Sequence, residues 1–359
     1  MLALVKYGTG PRETELREVP VPEIGEDDLL IEVRAAGICG SDVGYDDGKH
    51  GNQLNCPVIL GHEFSGIVAK TGKNVTEWKI GDRVVSDNTG YVCGKCDACT
   101  TGQYLMCPER LGLGYGMDGG FTDYVKIRGD LLARNPHTLF RIPENVSFEE
   151  AAILDPICNA YKAVVQESGI LPGENIAVFG VGPIGLCVIQ IAHVMGCGKI
   201  IALARPGNEK RFAIARKYGA THTVVMNGQD LDQELQSITG GSKVPVVIDA
   251  AGANQVLKEA LSVVKKGGKI VKIGYDEQPY GCSLDCLPEL GITIQGHFGY
   301  DYISWKNVLN LLEMGKLDLN GMISHYITLQ DWSKGMDLMR KKEAVKVVIT
   351  KDTSKLTPL

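Results

Sequence analysis

The chain has 359 residues, a formal net charge of −6, 44% hydrophobic and 22% charged residues. The acidic balance argues against nucleic acid or an anionic membrane as the main partner. No apolar run approaches a membrane span, and the first residues are too short an apolar stretch for a signal peptide. The length predicts two domains, and 11 clustered cysteines in a long chain read as metal ligands in a reducing compartment, so a soluble cytoplasmic protein is expected.

Residues 1–34 alternate and are interrupted by Pro11, Pro20 and Pro22, which predicts a β-rich start with a strand at Leu29–Val33. Two short motifs follow, Gly37-Ile-Cys39-Gly-Ser41-Asp42 and Gly61-His62-Glu63-Phe-Ser-Gly66. Cysteine, histidine and carboxylate are zinc-ligand types. Adjacent residues of a strand face opposite ways, so His62 and Glu63 can share one metal only where the backbone bends, for which Gly61 is suited. On these residues alone, a metal site and an unrelated buried cysteine with a surface pair are equally supported.

The next segment is more specific. Cys93, Cys96, Cys99 and Cys107 stand at x2, x2 and x7 spacing on a loop. Four thiolates close a tetrahedral zinc site and leave no position for substrate, so this zinc is expected to be structural. Gly119–Val125 reads as a turn and strand, and residues 128–142 as a loop. Ser147 with Glu150 forms a capping box for a helix starting near Phe148 and running to Asp155-Pro156.

Ile176–Phe179 reads as a buried strand entering Gly180-Val181-Gly182-Pro183-Ile184-Gly185 and then an apolar helix. Strand, G-x-G-x-x-G and helix in that order form a dinucleotide fingerprint, with the pyrophosphate at the helix N-terminus. Further strands are expected at 199–203, 223–226, 244–249, 269–274 and 292–296, with helices between them, including a short one at 285–290. This alternation predicts a parallel, doubly wound sheet. The tail carries helices near Trp305–Glu313 and Gln330–Arg340 and a strand at Ala344–Ile349.

Taken together, these motifs and Asp249-Ala-Ala-Gly252 resemble the zinc-containing medium-chain dehydrogenases over essentially the whole chain, and most closely their sorbitol dehydrogenase-like branch. The resemblance implies an α/β protein: a GroES-like β-rich catalytic domain at 1–156 and 298–359, and a doubly wound Rossmann domain at 157–297, with the active site in the cleft. It also implies two Zn2+ per subunit and a homotetramer or homodimer. Carried over, Cys39 and His62 bind the catalytic zinc, Glu63 is a third ligand or close neighbour, and Asp155 is a fourth ligand, acts through water, or is only a polar residue at a helix end. Ser41 matches the relay hydroxyl. Tyr45 and Phe298 fall on the substrate side, and Ala250, Ile273 and Lys346 on the cofactor side.

There are departures. Gly44 stands where many relatives carry a histidine, with His50 as a weak substitute. The segment Phe298-Gly299-Tyr300 lacks the arginine of sorbitol dehydrogenases. The 128–142 loop looks longer than usual for the family and suggests a subunit contact. The acidic residue of NAD-specific folds is replaced by Ala204 followed by Arg205, with Lys210 and Arg211 beyond. A small residue and a guanidinium fork suit a 2′-phosphate, so NADP(H) is expected over NAD(H). The substrate is expected to be a small alcohol or polyol, oxidised at a secondary carbinol. A threonine-type amino-alcohol dehydrogenase and a catalytically idle cofactor-binding relative are the alternatives.

Overall fold

The computed structural model describes residues 1–358. Two compact units emerge: Met1–Asp155 with Asp301–Gly315 and Leu319–Leu359, and Pro156–Tyr300 with Lys316–Asp318. The first begins with β1 (Leu2–Lys6), β2 (Thr14–Glu18), β3 (Leu29–Ile38), β4 (Val58–Ile59), β5 (Glu63–Thr71), β6 (Arg83–Ser86), β7 (Tyr124–Ile127) and β8 (Leu139–Arg141). β1 lies between β2 and β4 in a small sheet. β3, buried along most of its length, is the axis of a larger one, pairing antiparallel with β5 and β7.

Two expectations need correction here. The strand expected at Leu29–Val33 continues through Ala35-Ala-Gly-Ile38, because β5 pairs with it as far as Gly37 and Glu63. Residues 128–142 are not a loop: they form a helix at Gly129–Arg134 and then β8, which pairs antiparallel with β6. Asn135 supports the turn between them by accepting from the His137 amide, while its own amide closes the helix on Leu131.

The second unit is built on β9 (Ile176–Phe179), β10 (Ile200–Ala204), β11 (His222–Val225), β12 (Val244–Asp249), β13 (Val264–Lys272) and β14 (Thr293–Gly296). All pair in parallel, in the order β11-β10-β9-β12-β13-β14. That is the doubly wound dinucleotide-binding order, with the crossover point between β9 and β12. β9 is wholly buried, as a central strand covered on both faces requires. Helix Leu154–Tyr161 continues as a π-helix over Lys162–Glu167, a widening that the sequence pattern does not reveal.

The chain then returns to the first unit. β15 (Ile323–Ile327), which was not expected, pairs parallel with β16 (Lys346–Thr350), and β16 pairs antiparallel with β3. The larger sheet thus runs β15-β16-β3-β5-β6-β8, with β7 also on β3. Distant parts of the chain, β16 and β5, lie on either side of the segment that leads to Cys39. Among the described residues, no helix is long and apolar enough to cross a membrane.

Candidate active site

Cys39, His62 and Glu63 come together, each offering a ligand atom within 4.8 Å of the others. Cys39 is the N-cap of the helix Gly40–Asp46, so the thiol sits where β3 ends and the chain turns. The facing problem of His62 and Glu63 is solved by position. β5 begins at Glu63, and His62 precedes it, after Gly61 at φ +96°. A β-carbon on Gly61 would stand 2.7 Å from the Phe121 amide nitrogen, so glycine is required both for the turn and for the close approach.

Asp42 orients the cluster, a role the sequence reading did not assign. One carboxylate oxygen accepts from the Cys39 amide at 2.8 Å, and the other lies 3.2 Å from His62 Nδ1. A carboxylate on one imidazole nitrogen fixes the tautomer and leaves Nε2 for a metal. Burial disfavours the charged form of His62, but Asp42 and Cys39 outweigh it, and the imidazole pKa is raised. Ser41 Oγ is 3.5 Å from His62 Nε2, which puts its hydroxyl beside the ligand atom.

Lys346, expected on the cofactor side, packs against the cluster. Its ammonium is buried against Glu63, 2.7 Å from Oε1 and 2.6 Å from Oε2. Asp155 lies outside the 4.8 Å set but belongs to the same electrostatic group. Asn88 Nδ2 donates to it at 3.0 Å, and Arg110 holds Asn88 through the Asn88 side-chain and backbone oxygens. Burial, followed by the Glu63 charge, raises the Asp155 pKa to about 6. Tyr45 is buried one helical turn beyond Ser41 and donates to Gln53 at 3.1 Å, its ring edge-on to His50. Phe298 lies in the second unit just after β14, 54% exposed.

Cys93, Cys96, Cys99 and Cys107 form a second group with ligand atoms within 4.8 Å of one another. None of the four is joined in a disulfide. Backbone N–H groups of Lys95 and Cys96 lower the Cys93 pKa to about 6, while burial pushes Cys99 up to about 12, so without a cation the four thiols divide the negative charge unevenly. Four sulfurs at this spacing, in a lobe without acidic or imidazole ligands, suit zinc.

In the second unit the glycines perform distinct tasks. Gly180 turns at φ +96°, and a β-carbon there would stand 2.8 Å from the Ala250 carbonyl. A β-carbon on Gly185 would collide with the Gly180 carbonyl oxygen, whereas nothing lies within 4 Å of that position on Gly182. Gly182 is the N-cap of the helix Pro183–Val194, with Pro183 at its start, Ile184 following and free N–H groups in its first turn. An open glycine at a helix N-terminus is suited to a pyrophosphate.

Ala250 and Ile273 lie at the ends of adjacent strands, hydrogen-bonded to Phe179 and Asp249. Asp249, read in the sequence only as part of a family motif, is buried and paired with Lys272 at 2.8 Å, bracing the ends of β12 and β13. Ala204 ends β10, and Arg205 opens a cavity of about 560 Å3 that Asn227, Lys258 and Ser262 also line. Lys210 is exposed on the next helix.

With that geometry in view, the chain can be compared with known proteins. Residues 25–137 match the alcohol dehydrogenase GroES-like domain, and residues 183–314 match the zinc-binding dehydrogenase family. The chain is 39% identical to the uncharacterized zinc-type alcohol dehydrogenase-like protein YdjL of Escherichia coli, over 98% of this chain and 99% of that one. It is 37% identical to L-threonine 3-dehydrogenase of Bacillus velezensis, covering 97% and 98%. It is 35% identical to sorbitol dehydrogenase of Bacillus subtilis, covering 97% of each. Among solved structures, a putative zinc-binding dehydrogenase of Sinorhizobium meliloti bound to NADP superposes with a TM-score of 0.86 at 28% identity, covering 97% and 98%. The chain therefore belongs to the zinc-containing medium-chain alcohol and polyol dehydrogenase family, and is an alcohol dehydrogenase-type oxidoreductase that works with zinc and a nicotinamide cofactor.

Proposed function

We propose that this enzyme moves a hydride between NADP(H) and the secondary carbinol of a small polyol or sugar derivative, with one catalytic and one structural zinc in each subunit. The observation that carries the reading is the Cys39, His62 and Glu63 cluster, oriented by Asp42 and neighboured by the Ser41 hydroxyl. Zinc bound there supplies Lewis-acid polarisation of a substrate oxygen, and the nicotinamide supplies the redox chemistry. The chain's own residues do the rest. Cys39, His62 and Glu63 hold the metal, with Asp155 in their electrostatic reach. Ser41 would relay the hydroxyl proton, its Oγ accepting that proton while its own O–H proton passes onward toward solvent. Beyond Ser41 the proton passes to water, and His50 is a second candidate acceptor: its ring carbon Cδ2 lies 3.5 Å from where a β-carbon on Gly44 would stand, at the position where many relatives carry a histidine. The Cys93–Cys107 group offers no open position and serves structure alone.

The NADP preference rests on Ala204 at the end of β10 and on Arg205, which lines a cavity together with Lys258, Asp230 and Glu259, with Lys210 nearby in sequence. A small residue where NAD-specific folds carry an acid, followed by a guanidinium, favours a 2′-phosphate. The free thiols fit a reducing compartment, and we place the enzyme in the cytoplasm. Identity to a threonine dehydrogenase keeps an amino-alcohol substrate as the second reading.

Fluorescence titration with NADPH and NADH tests the cofactor, and a panel of polyols, sugar alcohols and L-threonine with the oxidised form tests the substrate. NADPH is expected to bind at least about tenfold more tightly, and Arg205→Ala to remove most of that difference, as loss of one charged phosphate contact would. Equal binding of the two cofactors by the wild type sinks the NADP assignment. Turnover of threonine alone replaces the polyol.

A further inference from the structure

Gly37 is a glycine that its own backbone does not require. Its φ lies outside the left-handed region, and it occupies a regular position in β3, paired with Glu63 on one side and Val348 on the other. Residues directly opposite in an antiparallel sheet project to the same face. Glu63 and Gly37 therefore share a face, and with them Lys346 and Cys39, which lie one step beyond the Val347–Ile38 pair and two residues from Val348 and Gly37. Glu63 and Lys346 stand on strands separated by β3. Their charges meet only because the intervening residue has no side chain.

A β-carbon on Gly37 would collide with Glu63 Oε2. It would also stand 2.9 Å from Ile153 Cγ2 and 3.3 Å from Lys346 Cε. The neighbours that exclude a side chain are thus the two members of the buried pair and one packing group, all of them side chains. Gly66 on β5 differs, since a β-carbon there would meet the Glu32 carbonyl oxygen of the backbone. Glycine at 66 serves the approach of two strands, and glycine at 37 serves the approach of two charges.

We infer that Gly37 is a positioning residue for the Cys39, His62 and Glu63 metal centre: it is the gap through which the Glu63 carboxylate reaches across β3 to the Lys346 ammonium, so that Glu63 is held back as a weak, exchangeable ligand. The inference rests on the reading of that cluster as a zinc site. A carboxylate that shares its charge with an ammonium at 2.6–2.7 Å has less to offer a cation than a free one. Separating the pair with a methyl group on Gly37 leaves an anion buried beside Cys39 and His62. The metal is then the nearest positive charge that can satisfy it.

The test uses full-length holoenzyme and reads the metal. Release of zinc to a chromogenic chelator is followed for wild type, Gly37→Ala, Lys346→Met and the double variant. Visible spectra are recorded with cobalt exchanged into the Cys39 centre while the four-cysteine lobe retains zinc as an internal control. Release from the Cys39 centre is expected to slow by about tenfold or more in Gly37→Ala and in Lys346→Met, the range in which neighbours of metal ligands act. The cobalt bands are expected to move in the same direction in both, and release from the four-cysteine lobe to stay unchanged. The double variant is expected to match Lys346→Met, because no ion pair is left for the methyl to break. Additive effects, or a Gly37→Ala protein with wild-type release and spectrum, overturn the inference. If Gly37→Ala alone does not fold, a folded double variant upholds it and an unfolded one overturns it. A wild type that binds metal only in the four-cysteine lobe removes the reading beneath and the inference with it, and is recognised by one zinc per chain.

Discussion

At the scale of single residues, one buried carboxylate of the first unit gives stability a particular pH dependence. Asp87 is buried, accepting from the Thr89 amide at 3.0 Å and the Thr89 hydroxyl at 2.8 Å. Burial raises its pKa to about 7, against hydrogen bonds that act the other way. An aspartate in the unfolded chain titrates near ~4. Between these two values the folded state holds the proton more firmly than the unfolded state. The stability that Asp87 contributes is therefore complete at low pH and is lost as pH rises from about 4 through about 7. Asp87→Asn cannot ionise. Its melting temperature is expected to fall less than that of the wild type between pH 5 and pH 8, by the equivalent of roughly 2–4 kcal/mol at the upper end. Parallel curves for the two proteins would mean that Asp87 titrates as an ordinary carboxylate.

At the scale of elements, the helix Gly40–Asp46 carries Ser41 and Asp42 at one end and is clamped at the other. Asp46 is buried and receives Arg340 at 2.8 Å and Arg12 at 3.0 Å, and Arg340 also pairs with Asp47 at 3.0 Å. Arg340 lies at the end of the helix Trp332–Arg340, far away in sequence. Arg340→Ala is expected to cost about 2–3 kcal/mol in urea unfolding, since a charged hydrogen bond to a buried carboxylate is lost. Arg340→Lys is expected to recover less than half, because a point charge cannot span both aspartates. Equal midpoints for Arg340→Ala and wild type would show that Arg12 alone suffices. This clamp also marks what was legible in the sequence. The four cysteines are readable because ligand type and spacing announce them, Cys39, His62 and Glu63 only once the family resemblance joins their two motifs, and Gly180 to Gly185 because strand, glycines and helix follow one another. Asp42, Lys346 and Arg340 are not readable in this way. Their partners lie across sheet pairings or helix contacts that no local pattern encodes, and an aspartate or lysine in a motif looks the same whether it binds a cofactor or a neighbouring side chain. β8 and β15 were missed for a related reason. They are short strands that owe their existence to β6 and β16 rather than to their own periodicity.

At the scale of the whole molecule, the second unit's sheet leaves the outer edge of β14 without a partner among the described residues. Thr293 and Gly296 on this strand are exposed, and Phe298 just beyond it is 54% exposed. An open, uncharged strand edge invites pairing with another chain, and natural proteins protect such edges by covering or charging them. β14 itself carries neither Lys nor Pro, so a second copy of this chain, paired edge to edge about a two-fold axis, is the covering we propose. The substitution that tests it has little to disturb within one subunit. A β-carbon on Gly296 meets nothing within 4 Å, and Thr293 points to solvent from the opposite face of the strand. Thr293→Lys with Gly296→Lys therefore sets a cation on each face of β14 while leaving its pairing with β13 intact. Light scattering is expected to show the wild type at two or four times the 38.8 kDa of one chain, and the double variant at the mass of one chain, or at half the wild-type mass where a second interface persists. Circular dichroism should be unchanged between them. A double variant that keeps the full wild-type mass would move the subunit contact elsewhere, and the segment 128–142, with its helix Gly129–Arg134, would be the next face to charge.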